Sequence, residues 1–205
     1  PACPYGLIEE RDHRLAPGFV VEQLLAMQPD ALEIHTGPSH DLLFEALVQR
    51  LAGAAIPLQR LSVSCGLEGH AIAEAQLARS LWHRYSCLRQ SGFRPLWQLD
   101  GRPMSGDVGA GTARAAVQLW RTMRFQAPPG PLQLAGGTNT ATVQQLMADE
   151  RPAGVAFGGI ARRLLMPLLQ DAQRRGSSLR DWPEGWFKAR AIAASLIRPW
   201  VERPC

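Results

Sequence analysis

The most unusual stretch of the sequence is the glycine-rich segment DGRPMSGDVGAGT at positions 100–112. Glycine can adopt positive φ and lets the backbone approach a ligand closely. Arg102 can bind a carboxylate or a phosphate through two parallel hydrogen bonds, and Asp100 and Asp107 can hold a metal ion, a ribose or that arginine. A structural loop in which Asp100 binds Arg102 explains the same residues, so both interpretations stay open. The candidate ligand-binding glycines of the segment are Gly106, Gly109 and Gly111.

Two glycine pairs that follow predicted strands form a second group of candidates. The first pair begins the sequence GGTN at positions 136–139, and the second lies at positions 158–159. Backbone N–H groups at the start of a helix favour phosphate and other anions. A plain turn from strand to helix requires similar residues, but the repetition in two successive units favours an anion site. The candidate residues are Gly136, Gly137, Thr138, Asn139, Gly158 and Gly159.

Side chains that can transfer protons end the first two predicted strands. His35 ends the first strand, and Ser64 and Cys65 end the second. The carboxyl ends of parallel strands lie at one edge of a sheet, where α/β proteins bind their ligands. His35 is therefore a candidate general acid or base, with a purely structural histidine as the alternative.

The other histidines and the cysteines form no recognisable site in the sequence. The wide spacing of the cysteines argues against a disulfide framework and indicates a reduced, cytoplasmic protein. We expect Cys65 to be a buried, inert thiol and Cys87 to lie in the core. His13, His40, His70 and His83 have no metal-ligand spacing with the cysteines or with one another. No catalytic residues are predicted, because no known catalytic motif is present.

The candidate residues are separated by a regular alternation of apolar strands and amphipathic helices. Each predicted strand is followed by glycine and then by a helix, a pattern that indicates a parallel α/β fold. The predicted strands are 30–37, 58–66, 93–101, 131–137 and 153–159. The predicted helices are 17–29, 39–53, 70–90, one from 112, one from 138, one ending at about 175, and 184–201.

Two closures of this sheet are compatible with the pattern. The glycine pairs of the last two units resemble the phosphate-binding loops of a β/α barrel, and no dinucleotide fingerprint follows the first strand. We therefore predict a partial TIM-type barrel of about five β/α units that lacks its N-terminal strands. An open doubly wound sheet is the alternative.

Composition excludes several classes of protein. Of the 205 residues, 46% are hydrophobic, which is sufficient for one packed domain. The net charge is +4, but the basic residues are dispersed, so we expect no nucleic-acid partner. No apolar run is long enough for a transmembrane segment. The first residue is not Met and no signal peptide is recognisable, and we expect the chain to continue a longer protein.

Cys3 and the proline that follows it raise the question of an iron–sulfur cluster. The last cysteine of the ferredoxin run C-x₂-C-x₂-C-x₃-C is followed by proline. A single Cys-Pro pair also occurs by chance, so a plain free thiol is the alternative from these residues alone.

Five strings in this order resemble the light-dependent period (LdpA-type) proteins of cyanobacteria, and the similarity extends over roughly residues 1–170. WQLDGRPMSGD is its most specific part. The strings are PACPYGLIEE, DALEIHTG, WQLDGRPMSGDVGAGT, QLAGGTN and GVAFGGIAR. Proteins of this family are regarded as redox sensors that pass light-dependent information to the circadian clock, and are not known as enzymes of a defined reaction.

The resemblance implies a division of the chain and a set of partners. Residues 1–16 would end a ferredoxin-type segment, and residues 17–205 would form the C-terminal α/β domain with a final amphipathic helix. Cys3 matches the fourth ligand of a cluster of the [4Fe–4S] type in the parent protein. Because the other ligands are absent, this chain alone is not expected to bind the cluster. The glycine loops favour an alternative function, a TIM-barrel-like enzyme or ligand-binding protein for a phosphorylated or flavin-type ligand. The implied partners are clock or signalling proteins.

Overall fold

Five strands and six α-helices alternate in the computed structural model, which describes residues 16–37, 40–67, 72–102 and 109–203. The strands are β1 (Ala31–His35), β2 (Arg60–Gly66), β3 (Pro95–Asp100), β4 (Leu132–Ala135) and β5 (Gly154–Val155). The helices are α1 (Pro17–Met27), α2 (Asp41–Gly53), α3 (Glu74–Gln90), α4 (Ala113–Met123), α5 (Gly159–Arg174) and α6 (Pro183–Val201). Short 3₁₀ turns precede α4 and β5.

The strands form one open, parallel sheet in the order β1-β2-β3-β4-β5, which confirms the α/β fold. A doubly wound sheet reverses its strand order at a switch point, and the order of the described strands contains no reversal. Consecutive strands of a β/α barrel follow one another in this way. The partial barrel therefore stays a prediction that the strand order favours.

The strand register divides the sheet into an apolar face and a polar face. The apolar face forms one core cluster with residues that come mainly from helices α2, α3 and α4. Burial of a Leu, Ile or Val side chain contributes about 1.5–3 kcal/mol, so this face holds the domain together. Its buried residues are Ile34, Leu61, Val63, Cys65, Trp97, Leu99 and Leu134. The opposite face, here called the polar face, also contains the buried Leu96, and its polar side chains are Glu33, His35, Ser62, Ser64, Gln98, Asp100 and Gln133.

The helix predicted from position 138 is wrong. Between β4 and β5 the chain forms only the 3₁₀ turn Val143–Gln145. Asn139 explains the difference, because its Oδ1 accepts a hydrogen bond from the Ala141 N–H at 2.8 Å, while its own N–H donates to Thr142 Oγ1 at 2.8 Å. Such local side-chain bonds offer the backbone an alternative to a helix.

Gly101 sets the distance between the end of β3 and helix α4. A Cβ atom at this position would overlap the backbone of Ala116. We expect Gly101→Ala to lower the free energy of unfolding by about 1–3 kcal/mol, the usual cost of overpacking. Gly53→Ala is the matched control, because no atom lies within 4 Å of the added methyl group. Equal urea midpoints for Gly101→Ala and Gly53→Ala would contradict the close packing of the end of β3 against α4.

The last two helices pack against each other and extend the domain beyond β5. Ile160 of α5 and Leu196 of α6 are buried between them, and Trp200 contacts Phe157 edge to face with ring centres 6.4 Å apart. Among the helices described here, none combines the length and apolarity required to cross a bilayer.

Candidate functional site at the carboxyl edge of the polar face

Three polar side chains from neighbouring strand ends meet at the carboxyl edge of the sheet. His35 Nδ1 lies 2.7 Å from Ser64 Oγ, and that hydroxyl donates its proton to Asp100 Oδ2. His35 Nδ1 and Asp100 Oδ2 are 3.8 Å apart. Because β1, β2 and β3 are adjacent and in register, the fold brings together His35 and Asp100, two of the residues predicted from sequence.

The order of these residues differs from that of a hydrolytic triad. In a Ser-His-Asp triad the histidine lies between the other two residues and removes the proton of an accessible serine. Here Ser64 occupies the middle position and is fully buried, whereas the His35 side chain is 58% exposed. The arrangement can orient His35 and bind a polar ligand, but Ser64 cannot reach a substrate as a nucleophile.

Further hydrogen bonds extend this polar network across the sheet. Gln98 Nε2 donates to Glu33 Oε1 at 2.9 Å, and Gln133 Nε2 donates to Gln98 Oε1 at 3.0 Å. Glu33 and His35 remain open at the edge of this face. The polar face therefore presents the carboxylate of Glu33 and the imidazole of His35 beside two hydrogen-bonded amides, of which Gln98 is buried and Gln133 half-buried.

Asp100 couples the site to pH. Burial raises the pKa of its carboxyl above the ordinary value of 3.8, while the Ser64 hydrogen bond and the charge of His35 act in the opposite direction. The folded protein therefore binds this proton more tightly than the unfolded chain does. The protonated Asp100 carboxyl therefore stabilises the folded state. This contribution is complete below pH 3.8 and is lost as the pH rises through the pKa that Asp100 has in the folded protein.

Asp100→Asn is expected to reduce this pH dependence. The amide keeps the shape of the carboxyl but does not titrate, so the variant loses less stability than the native protein as the pH rises from 4 towards neutrality. Urea unfolding at a series of pH values measures the effect. Asp149→Asn, at an exposed position, is the control. Its free energy of unfolding should change with pH as steeply as that of the native protein. Identical slopes for Asp100→Asn and the native protein would contradict the assignment.

The first glycine pair brings two loops together. Gly136 has φ +59°, and a Cβ there would lie 2.6 Å from the Arg102 carbonyl oxygen. Gly137 has φ +88°, and its Cβ would lie 2.8 Å from the Thr112 carbonyl oxygen. Close approach of the loops after β3 and β4 thus accounts for both glycines. Binding of an anion by this pair stays a prediction.

Thr138 and Asn139 connect neighbouring loops through their side chains. Thr138 Oγ1 donates to the carbonyl oxygen of Ala156, which directly follows β5. Asn139 Nδ2 donates to the Gly109 carbonyl oxygen at 2.7 Å. Both side chains are buried, so they hold the loop edge of the sheet in place.

The remaining candidates lie at two helix starts. Gly111 is in the 3₁₀ turn before α4, and Gly158 and Gly159 begin α5, where open space surrounds Gly158. Gly106 and Asp107 lie outside the described residues. The structure thus distributes the described candidates along the carboxyl edge, where Ser64 connects the side chains of His35 and Asp100.

The described cysteines do not fit a four-thiolate cluster. Cys65 is fully buried in the core as expected, and this burial raises the pKa of its thiol to about 12, which disfavours the reactive thiolate. Cys87, which was expected in the core, is half-buried on α3 and packs against the core cluster from its margin. An iron–sulfur cluster requires four thiolates, and the described part of the chain offers these two on separate elements. Cys3 lies outside it.

The sequence analysis missed a cluster of possible metal ligands. Glu45 of α2 and His83 and Cys87 of α3 place one ligand atom each within 4.8 Å of one another. The expectation that the histidines have no metal-ligand relation to a cysteine is therefore wrong. The spacing of four between His83 and Cys87 on one helix was the available signal, whereas the contribution of Glu45 depends on helix packing.

The fold and the polar edge define a parallel α/β domain with hydrogen-bonded polar side chains at the carboxyl edge of its sheet. The chain belongs to the Light dependent period A C-terminal domain family, whose model matches residues 23–199. It is 37% identical over 207 aligned positions to Light dependent period A of Synechococcus elongatus. The alignment covers 97% of this chain and 57% of that protein, so the chain spans little more than half of its relative. No solved structure matches the chain.

Proposed function

We propose that the chain is the regulatory α/β domain of a cytoplasmic protein that makes the circadian period depend on light. The observation that carries this proposal is the 37% identity to a relative named Light dependent period A, extending over 97% of the chain. A relation of this extent includes the strand ends and the loops that follow them. The five strands that carry the polar face lie within the residues 23–199 that the family model matches.

The geometry of the polar face supports regulation by binding. Ser64 is buried between His35 and Asp100, so this trio lacks an accessible nucleophile. Glu33 and His35 are open and can recognise a polar surface or ligand. We propose that a clock or signalling protein binds here through complementary charged or hydrogen-bonding groups.

An iron–sulfur segment is the proposed source of the signal. The proposal takes residues 1–16 as the end of that segment, with Cys3 as the fourth thiolate of a [4Fe–4S]-type cluster. The other thiolates would come from residues that precede Pro1 in the parent protein. The cluster would supply redox sensitivity, and the described residues would supply the binding face.

The test of the redox part is the metal content of the protein as encoded, with any residues that precede Pro1. Anaerobically purified protein should contain iron and sulfide and give an electron paramagnetic resonance signal on reduction. The Cys3→Ser variant should lose most of its iron and most of the resonance signal, whereas the Cys205→Ser variant should keep both. Iron-free native protein, or full iron in Cys3→Ser, would refute cluster binding and leave the circadian role to be tested separately.

A phosphorylated or flavin-type ligand is the second candidate. The specific observation is the open space around Gly158 at the first turn of α5, where backbone N–H groups favour anions. Thermal unfolding with added phosphate or flavin mononucleotide tests it. A rise in the midpoint that Gly158→Pro abolishes would support the site, and unchanged midpoints would reject it.

A further inference from the structure

A second polar cluster lies between α2 and α3, on the helical side of the domain. His83 Nε2 is 3.8 Å from Cys87 Sγ and 4.0 Å from Glu45 Oε2. His83 and Cys87 are one helical turn apart on α3, so their side chains share one face. Glu45 faces them from α2, and all three ligand atoms fall within 4.8 Å of one another.

These separations are close to those of ligands around one metal ion. With Zn–S and Zn–N bonds of about 2.3 and 2.0–2.1 Å, tetrahedral coordination places the S and N atoms about 3.6 Å apart. The nitrogen and carboxylate oxygen of such a site are about 3.4 Å apart by the same geometry. The observed S–N distance of 3.8 Å exceeds its value by about 0.2 Å and the observed N–O distance of 4.0 Å by about 0.6 Å, so side-chain rotations must bring the three ligand atoms closer together.

Gln49 prepares the carboxylate of Glu45 for this role. Its Nε2 donates to Glu45 Oε1 at 3.3 Å from one turn further along α2. The other oxygen, Oε2, is the one directed at His83. Hydrogen bonds of this kind orient the ligands of protein metal sites.

The position and charge of the cluster also suit a cation. The side chains of His83 and Glu45 are 45% and 39% exposed, so an ion can enter from solvent. Burial and the carboxylates of Glu45 and Asp41 raise the pKa of the Cys87 thiol. The same negative charges attract a divalent cation, which can displace the thiol proton.

We propose that Glu45 Oε2, His83 Nε2 and Cys87 Sγ bind one zinc ion, with water as the fourth ligand. A set of one thiolate, one imidazole and one carboxylate matches the ligand preference of zinc and excludes magnesium and calcium, which take oxygen ligands. Binding forms the sulfur–zinc bond as the thiol of Cys87 releases its proton to solvent. The ion would join α2 to α3 independently of the proposed regulatory function.

Titration of the full chain, free of affinity tags, with Co²⁺ and Zn²⁺ tests the site. Co²⁺ should bind at one equivalent and produce thiolate-to-cobalt charge-transfer absorption, which Zn²⁺ should then abolish. Calorimetry in buffers of different ionisation enthalpy should detect about one proton released per zinc ion near neutral pH. Zinc should also raise the thermal unfolding midpoint, because it binds the folded state.

Variants distinguish this site from other thiols and histidines of the chain. Cys87→Ser should remove the charge-transfer band, and His83→Gln should weaken cobalt binding more than tenfold. Gln49→Ala should weaken it by about 10–100-fold, as for other residues that orient ligands. Cys3→Ser, Cys205→Ser and His40→Gln are the matched controls and should bind as the native chain does.

Two results would overturn the proposal. One is native protein that binds no stoichiometric Co²⁺ or Zn²⁺, an outcome that does not depend on whether any variant folds. The other is a folded Cys87→Ser variant, verified by circular dichroism, that retains the native charge-transfer band.

Discussion

Glu150→Ala is expected to lower the free energy of unfolding by about 3–5 kcal/mol, the cost of removing one partner of a buried ion pair. Glu150 is 1% exposed, and its two oxygens accept hydrogen bonds from Arg121 Nε at 2.6 Å and Nη2 at 2.8 Å. Its Oε2 also accepts from the Met147 N–H at 2.9 Å. Removal of the carboxylate leaves these donors without their partner and releases the 143–150 segment from α4.

The pH dependence of the same interaction has a definite sign. The hydrogen bond from Arg121 lowers the pKa of Glu150 from its ordinary value of 4.5 to about 2. The stabilisation is therefore complete above pH 4.5 and is lost as the pH falls from 4.5 to 2. A pKa shift of this size corresponds to about 3 kcal/mol in the free energy of unfolding. The native protein should lose this contribution on acidification, whereas Glu150→Ala has no such contribution to lose.

Denaturant unfolding at neutral and acidic pH measures both effects. Asp149→Ala is the matched control, because it removes a neighbouring carboxylate that is exposed and should change stability by less than about 0.5 kcal/mol. A Glu150→Ala variant as stable as this control would show that the ion pair contributes nothing to the fold.

Arg84→Ala is the second substitution with a large expected effect, about 3 kcal/mol or more. Arg84 is fully buried, and its Nε donates to Asp41 Oδ1 at 3.0 Å. Its Nη2 donates to the Gly37 carbonyl oxygen, and the guanidinium lies over the Phe44 ring at 5.2 Å. One side chain thus joins α3 to α2 and to the loop that follows β1.

Loss of Arg84 should also disturb the candidate site, since Gly37 lies two residues after His35. The control is Arg89→Ala, which removes an exposed arginine from the same helix. Comparing the unfolding midpoints of Arg84→Ala and Arg89→Ala separates loss of the buried contacts from a general loss of positive charge. Equal midpoints for the two variants would be incompatible with the role assigned to Arg84.

The sequence pattern predicted the strands because each is an apolar run that ends at a turn. It also brought His35 and Asp100 to one edge, since the ends of parallel strands must meet there. It did not distinguish the two faces of the sheet. That division follows from the register, which aligns Glu33, Ser62 and the other polar side chains in rows across neighbouring strands.

Other features depend on packing between elements that are distant in sequence. Arg84 and Glu150 look like ordinary helix and loop charges until the structure shows that both are buried and paired with partly exposed partners, Asp41 and Arg121. Glu45 and His83 are separated by 38 positions in the sequence and meet only because α2 packs on α3. The missing helix after β4 has a local cause, because the side chain and backbone of Asn139 form a turn where the sequence pattern predicts a helix.

The most direct test of the regulatory account is the circadian period itself. In a cyanobacterium that lacks its own Light dependent period A, the native protein as encoded should restore the dependence of the period on light intensity, measured with a luminescent reporter. The double variant of Glu33→Ala and His35→Ala should fail to restore it at equal protein abundance, while Glu22→Ala should succeed. A period that responds to light equally with the native protein and with the double variant would contradict a role for the polar face.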